Sequence, residues 1–368
     1  MTGILTFHKA INYGAVLQAY ALRTAIEQMG EPCSVINYAG EKMLRESKTF
    51  YFPRNASVVS RAIALYRLPM RARTVRKFNS FLSHHLNLSG PILSDAAGLE
   101  ALSSQYDHFI TGSDQVFNYK GTGEDFNFYL EFEKSKEKKI AYAPSFGLSE
   151  IDEGHRERVA NALNDFFALS VREQVGEKIV EDLIGVRPLR VCDPTFLLKK
   201  EQWEQLCKAP KYKKPYVLVY SFGSCHLEDT ARRIAEEIGG TVVNINRGFP
   251  TVIKGRNVKN AYAPGPREFL GLIRNASAVV TNSFHGMALS VLLEKEFYAF
   301  TNNYANSSAT NPRFQTLSES LGLSDRVYSI GTQIERSKID YAAVKERIEK
   351  LRGEGLAFLS RALNKGGV

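Results

Sequence analysis

Cysteine is scarce in this chain. Cys33, Cys192, Cys207 and Cys225 are the four in 368 residues, far apart and without CxxC spacing. That pattern excludes a disulfide framework and a thiolate zinc site, and a reducing cytosol is the compartment that fits it. No other residues have metal-ligand spacing, so no metal is expected. No apolar run is long and charge-poor enough to span a bilayer. The segment Met1-Thr2-Gly3-Ile4-Leu5-Thr6-Phe7 lacks a basic n-region, a long apolar core and a small-residue cleavage site. It reads as a first strand rather than a signal peptide. Neither GxGxxG nor the P-loop pattern occurs, which excludes the common dinucleotide and nucleotide fingerprints. There is no repeat of solenoid type.

Acid is also missing locally. No Asp or Glu occurs from Ser47 through Ser94, whereas Lys48, Arg54, Arg61, Arg67, Arg71, Arg73, Arg76 and Lys77 all fall there, in a chain of net charge +9. Between Val58 and Phe81 the arginines interleave with Val59, Ile63, Leu65, Tyr66, Leu68, Phe78 and Phe81, as in a helix. One reading of the 48–77 stretch is a helical excursion with a solvated basic face. The other is a peripheral contact with anionic lipid headgroups. Nucleic acid is not expected as a partner, because no stacking aromatics or helix-turn-helix pattern accompany the charge.

What is present is a globular composition, 44% hydrophobic and 24% charged, in a chain too long for one ordinary core. Strand and helix signals alternate from the start. Strands are expected at Ile4 to Phe7, Ser34 to Tyr38, His108 to Thr111, Lys139 to Ala143, Leu169 to Arg172 and Leu189 to Cys192. A helix from Ala15 to about Met29 follows the first, with Gly30 as its stop. After the lysine-rich tract Lys199 to Lys214 the pattern restarts, with strands at Tyr216 to Tyr220, Thr241 to Ile245, Ala278 to Thr281 and Glu296 to Phe300. Between them lie a turn at Ser221 to Ser224 and helices at Leu227 to Ile238, Pro266 to Arg274 and Phe284 to Leu293. The expected class is α/β: two Rossmann-like, doubly wound domains, 1–198 and 199–335, facing across a cleft. A terminal helix in 336–368 is expected to pack back across them. Ligands of such sheets sit beyond the carboxyl ends of the strands, so functional residues should follow strands.

Four junctions meet that condition. In Thr281-Asn282-Ser283-Phe284-His285-Gly286, Asn282 or Ser283 can cap a helix whose first-turn amides would hold an anion. His285 can add a charge-assisted bond there, and Gly286 is expected to keep the backbone accessible. The alternative is an ordinary strand–helix cap with a core histidine. At Ser170-Val171-Arg172-Glu173, Arg172 is expected at the cleft rim, for bidentate capture of carboxylate or phosphate, or else in a surface pair with Glu173. In Gly112-Ser113-Asp114-Gln115-Val116-Phe117-Asn118, Asp114 can accept a proton from a hydroxyl nucleophile, or simply cap a turn. The segment from His8 to Gln18 brings amide and hydroxyl groups, Asn12, Tyr13 and Gln18 among them, of the kind that hold sugar hydroxyls.

In order along the chain, "ILTFHKAINYGAVLQAYAL", "ITGSDQVFN", "IAYAPSFG", "SVREQVG", "VCDPTFLL" and "VVTNSFHGMALSVLLEKEFYAF" resemble the successive motifs of the polysaccharide pyruvyltransferase family. The resemblance implies a glycosyltransferase-B-like fold, phosphoenolpyruvate as co-substrate, no further cofactor, and a saccharide acceptor, free or lipid-linked. It implies that Arg172 and His285 contact the donor, with Asn282, Ser283 and Gly286 beside them. Gln115 and Asn118 join Asn12, Tyr13, Gln18 and Asp114 on the acceptor side. This chain departs from the commoner form twice. Asn282-Ser283-Phe284-His285 lacks an arginine two positions before the histidine, and Phe300-Thr301-Asn302-Asn303 lacks a donor-binding lysine. Arg313 is the candidate replacement cation.

Ketal formation needs C3 of the enol protonated, attack of a sugar hydroxyl on C2, departure of phosphate and closure by a neighbouring hydroxyl. Helix amides and cations suit the anionic donor and departing phosphate. Asp114 is the expected base, and protonated His285 is one candidate for the proton donor. The competing function is a nucleotide-sugar-dependent glycosyltransferase, which would need a late ribose-binding carboxylate, with Glu294 or Glu296 nearest. A non-catalytic member is a third possibility. The expected location is cytoplasmic, with peripheral contact at the inner membrane face if the acceptor is lipid-linked.

Overall fold

The computed structural model describes every residue except 51–56, 223–226, 247–251, 302–311, 333, 335–336 and 365–368. The chain forms two compact units. The first comprises Met1–Lys48, Leu82–Leu198 and Glu349–Val368, and the second Thr49–Phe81 and Lys199–Ile348. The division differs from an unbroken 1–198 domain, because the basic segment counts with the second unit. The terminal helix Tyr341–Leu363 changes unit after Ile348, so that its larger part completes the first. There Arg352 donates to the carbonyls of Phe196 and Leu198 at 3.0 and 3.1 Å.

The first unit is built on β1 (Thr2–Leu5), β2 (Cys33–Val35), β3 (His108–Thr111), β4 (Lys139–Ala141), β5 (Ala168–Val171) and β6 (Leu189–Arg190). All neighbours are parallel, in the order β2-β1-β3-β4-β5-β6. The chain leaves β1 towards β2 on one side and continues with β3 on the other, which makes the carboxyl ends of β1 and β3 a topological switch point. Helix Tyr13–Gln28 is buried over most of its circumference, which its run of Ala and Gly permits.

The second unit has β7 (Tyr216–Tyr220), β8 (Thr241–Asn246), β9 (Val258–Tyr262), β10 (Ala278–Thr281), β11 (Glu296–Thr301) and β12 (Val327–Ser329). Their order is β12-β11-β10-β7-β8-β9, again all parallel, with the switch point between β7 and β10. Strands β7 and β10 are buried at every position, as expected of a parallel sheet covered on both faces. Strand β9 was not legible in the sequence, since Ala261 is its single buried residue. Strand β12 has no buried residue. The expected turn at Ser221 to Ser224 lies partly outside the described residues, as do Arg54, Cys225, Asn302, Asn303 and Asn311.

The basic segment forms two helices, Val58–Tyr66 and Leu68–His85. Arg67 separates them, directly before Leu68 and Pro69. Among the described residues no helix is long and apolar enough to cross a membrane. Burial pushes the Cys33 and Cys192 thiols up to about 12, the state of inert core residues.

Candidate functional site

At the carboxyl end of the first sheet, one polar network joins residues from five of the six motifs. Gln18 donates from Nε2 to Thr6 Oγ1 at 2.8 Å, and Thr6 donates to the Ser113 carbonyl at 3.0 Å. Gly112 permits this approach, since a Cβ there would lie 2.9 Å from Thr6 Cβ. Ser113 donates to the Ala143 carbonyl at 2.8 Å and accepts from Arg172 Nη1 at 3.3 Å. The same Nη1 reaches Asp193 Oδ2 at 2.7 Å, while Asp193 Oδ1 accepts from the Thr195 amide and hydroxyl. Glu173 lies 3.6 Å from Arg172 Nε and accepts from Ser145 Oγ at 2.6 Å and the Phe146 amide at 3.2 Å.

Arg172 is therefore not at a rim. Its side chain is 3% exposed, and that of Asp193 1%. Burial works against the guanidinium charge, but Asp193, Glu173 and Asp114 outweigh it and hold its pKa above the ordinary value. The alternative of an Arg–Glu pair is present, buried rather than on the surface.

Asp114 is buried and adopts φ +72°, a left-handed conformation uncommon for a side-chain-bearing residue. Ala143, at φ +51°, does the same in the neighbouring loop. The loops are joined by a parallel bridge between Asp114 and Pro144 and by the Ser145 amide donating to the Asp114 carbonyl at 2.8 Å. Strain of this kind persists where the surroundings over-determine it, and it concentrates at functional positions. Asp114 Oδ1 accepts from the Gln115 amide at 3.0 Å.

The remaining acceptor-side candidates surround the same switch point. Asn12 caps helix Tyr13–Gln28, its Oδ1 accepting from Gly14 N at 3.0 Å, and Tyr13 is buried in the first turn. Gln18 is fully buried, and its Oε1 accepts no hydrogen bond among the described residues. Asn118 Oδ1 accepts from Gly121 N at 2.8 Å. Gly147, at φ +59°, lies under Gln115 and Asn118, with no room for a Cβ (2.7 Å from Gln115 Cδ).

At the second switch point, Asn282 ties the two loops together. Its Oδ1 accepts from the Phe222 amide at 2.7 Å, and its Nδ2 donates to the Phe222 carbonyl at 2.8 Å. Ser283 is the N-cap of helix Phe284–Leu292, accepting from Gly286 N at 3.2 Å. His285 is buried in the first turn, edge-on to Phe284 at 5.1 Å, and no acid falls in that turn. Gly286 serves a different purpose from the accessibility expected of it. A Cβ would sit 2.4 Å from Thr281 Oγ1 and 3.1 Å from Tyr220 Cδ1, so the glycine lets the helix close on β7 and β10. Arg313 is half-buried at the second position of helix Pro312–Leu321.

Sequence reading missed Lys9 and His8. Both lie in the loop after β1, four and three residues past Leu5. His8 is fully buried, with Nδ1 3.2 Å from the Thr6 carbonyl and Nε2 3.2 Å from Asn37 Oδ1. Burial pushes its pKa down to about 4; the two hydrogen bonds only partly oppose this. Glu294 and Glu296 are engaged elsewhere. Glu294 pairs with Lys200 and Lys345, Glu296 with Arg326, and both stand at the amino end of β11, away from the carboxyl ends.

The sequence profile of the polysaccharide pyruvyl transferase family matches residues 12–304. No curated protein matches the chain. Among solved structures, UDP-GlcNAc 2-epimerase from Methanocaldococcus jannaschii in complex with UDP-GlcNAc and UDP is similar at TM-score 0.50 and 13% identity, over 99% of both chains. That likeness is one of fold alone, the glycosyltransferase-B-like fold expected. The enzyme of the same name from Neisseria meningitidis has TM-score 0.47 at 11% identity over 99% of both chains. E. coli heptosyltransferase WaaC with ADP has 0.40 at 12%, over 97% of this chain and 99% of that one.

Proposed function

The chain belongs to the polysaccharide pyruvyl transferase family and is a transferase; from that premise we propose that it moves the pyruvyl group of phosphoenolpyruvate onto a hydroxyl pair of a saccharide. One proton is added to C3 of the enol, a sugar hydroxyl attacks C2, phosphate leaves with the C2–O electron pair, and the neighbouring hydroxyl closes the ketal. The two hydroxyl protons depart, one to Asp114 and the other to the released phosphate. His285 and the first-turn amides of helix Phe284–Leu292 take the phosphate, with Asn282, Ser283 and Gly286 shaping that turn and Arg313 adding charge. Asn12, Tyr13, Gln18, Gln115 and Asn118 belong to acceptor binding.

The observation that carries the reading is the capped, acid-free start of helix Phe284–Leu292, with His285 in its first turn, at a Rossmann switch point. Arg172 acts as a positioning residue behind Asp114 in this scheme, because Asp193 and Glu173 already match its charge. A nucleotide-sugar donor is the weaker reading, since Glu294 and Glu296 lie at the wrong end of β11 and are paired.

The test is acceptor-dependent phosphate release from phosphoenolpyruvate with a mixed glycan pool, run beside nucleotide sugars. Release only from nucleotide sugars would replace the proposal with the alternative. His285→Ala should lower both turnover and phosphoenolpyruvate affinity, by about 10- to 100-fold for a lost charge-assisted bond. Unchanged kinetics would remove His285 from the site.

The finer location we propose is the inner membrane face, where a lipid-linked acceptor would be met. Helix Val58–Tyr66 exposes Val58, Leu65 and Tyr66, the last at 89%, and Arg61, Arg73 and Arg76 are exposed along the segment. Apolar tips among cations suit anionic lipid, at about 1 kcal/mol per cation near the surface. Replacing these three arginines with Gln should release the protein from anionic vesicles at low salt. A wild-type chain that ignores such vesicles leaves only a solvated face.

A further inference from the structure

The first switch point carries a cation that no counter-ion among the described residues matches. Lys9 lies half-buried in the loop after β1, four residues past Leu5 and four before helix Tyr13–Gln28 begins. Among the described residues it makes no hydrogen bond and no ion pair. Its situation is the reverse of that of Arg172, whose guanidinium is shared between Asp193 and Glu173. We propose that Lys9 binds an anionic group, a phosphate or a carboxylate, carried by a substrate at the carboxyl end of the first sheet.

Three observations support this. A half-buried ammonium without a partner loses part of its hydration and gains nothing in return, a cost that a bound anion removes. Burial accordingly lowers the Lys9 pKa, and no carboxylate acts to restore it. The helix that follows has no acid in its first turn, so its positive end adds to the same field. At the same sheet end, Gln18, bonded to Thr6, has a buried Oε1 that accepts no hydrogen bond among the described residues, an acceptor suited to a hydroxyl. An anion-bearing ligand with hydroxyls is thus the class that fits, and the inference rests on the transferase reading only for which substrate it is.

Lys295 provides an internal control. It too is half-buried without a hydrogen bond or ion pair from its side chain among the described residues, and burial lowers its pKa. It precedes β11, however, at the amino end of its sheet.

The experiment is calorimetric titration of the full chain and of Lys9→Gln, Lys9→Arg and Lys295→Gln. Inorganic phosphate, phosphoenolpyruvate, glucose 1-phosphate and uncharged methyl glucoside serve as probes. Lys9→Gln should lower affinity for phosphate about 10-fold or more, Lys9→Arg should restore most of it, and Lys295→Gln should match the wild type. None of the substitutions should lower the melting temperature, because no hydrogen bond or ion pair among the described residues is removed. Beside the loss for inorganic phosphate, a larger loss for phosphoenolpyruvate than for glucose 1-phosphate assigns the anion to the donor, and the reverse assigns it to the acceptor; either supports the proposal. Equal phosphate affinity in wild type and Lys9→Gln overturns it. Failure to bind phosphoenolpyruvate at all would instead count against the transferase reading, since the inorganic phosphate titration stands apart from it.

Discussion

At the carboxyl end of the first sheet, Thr6, Ser113, Arg172, Glu173 and Asp193 bond to one another, and Asp114 sits strained beside them. Among the described residues at the carboxyl end of the second, Asn282 ties two loops, Ser283 caps a helix, and His285 stands in the first turn of that helix, which carries no acid there. The charges of the first end, Lys9 apart, are matched within the protein; among the described residues the second offers a capped, acid-free helix start instead. A charged residue in a motif is therefore not by that fact a ligand contact. What decides is whether the fold has already supplied its counter-charge.

The largest effect expected from this contrast is on stability. Arg172→Met would leave Asp193 and Glu173 buried without their cation, at a cost of about 3–5 kcal/mol. Denaturant titration should register it, and high salt should not mask it because the pair is buried. If Arg172→Met folds as stably as wild type and loses only substrate affinity, the contrast between the two ends is wrong.

A smaller effect concerns pH. The His8 imidazole is held at about 4, below its ordinary 6.5, because it is buried neutral. The unfolded chain then takes up the proton first, so stability should fall as pH drops from about 6.5 to about 4, by up to about 3 kcal/mol. In a His8→Gln variant, melting temperature should fall less over that interval than in the wild type. Equal acid sensitivity would mean that other groups account for it.

The smallest effect sharpens the comparison most directly, because each sheet has a capped helix at its switch point. Asn12→Ala and Ser283→Ala should each cost about 1 kcal/mol in thermal unfolding. Only Ser283→Ala should also weaken phosphoenolpyruvate binding, by disturbing the turn that holds His285. Similar losses of donor affinity in both would erase the distinction.

Much of this was legible without a structure. Strands His108–Thr111, Tyr216–Tyr220 and Ala278–Thr281 fall where their apolar runs predict, since a parallel strand covered on both faces leaves an uninterrupted signal. The placement of Asp114, Arg172 and His285 just past strands follows from that same alternation. Strands β9 and β12 escaped because their residues are mostly exposed or half-buried and carry no periodicity. The partners of Arg172 escaped for another reason: Ser113 lies 59 residues away and Asp193 21, and no local pattern encodes which side chains meet across a sheet. The same holds for Lys9, an ordinary lysine in sequence whose lack of a counter-ion among the described residues exists only once the chain has folded. Local periodicity is written residue by residue, so the sequence alone determined the elements and their polarity. Charge compensation depends on contacts between distant segments, and only the tertiary structure decided which charges remain for a ligand.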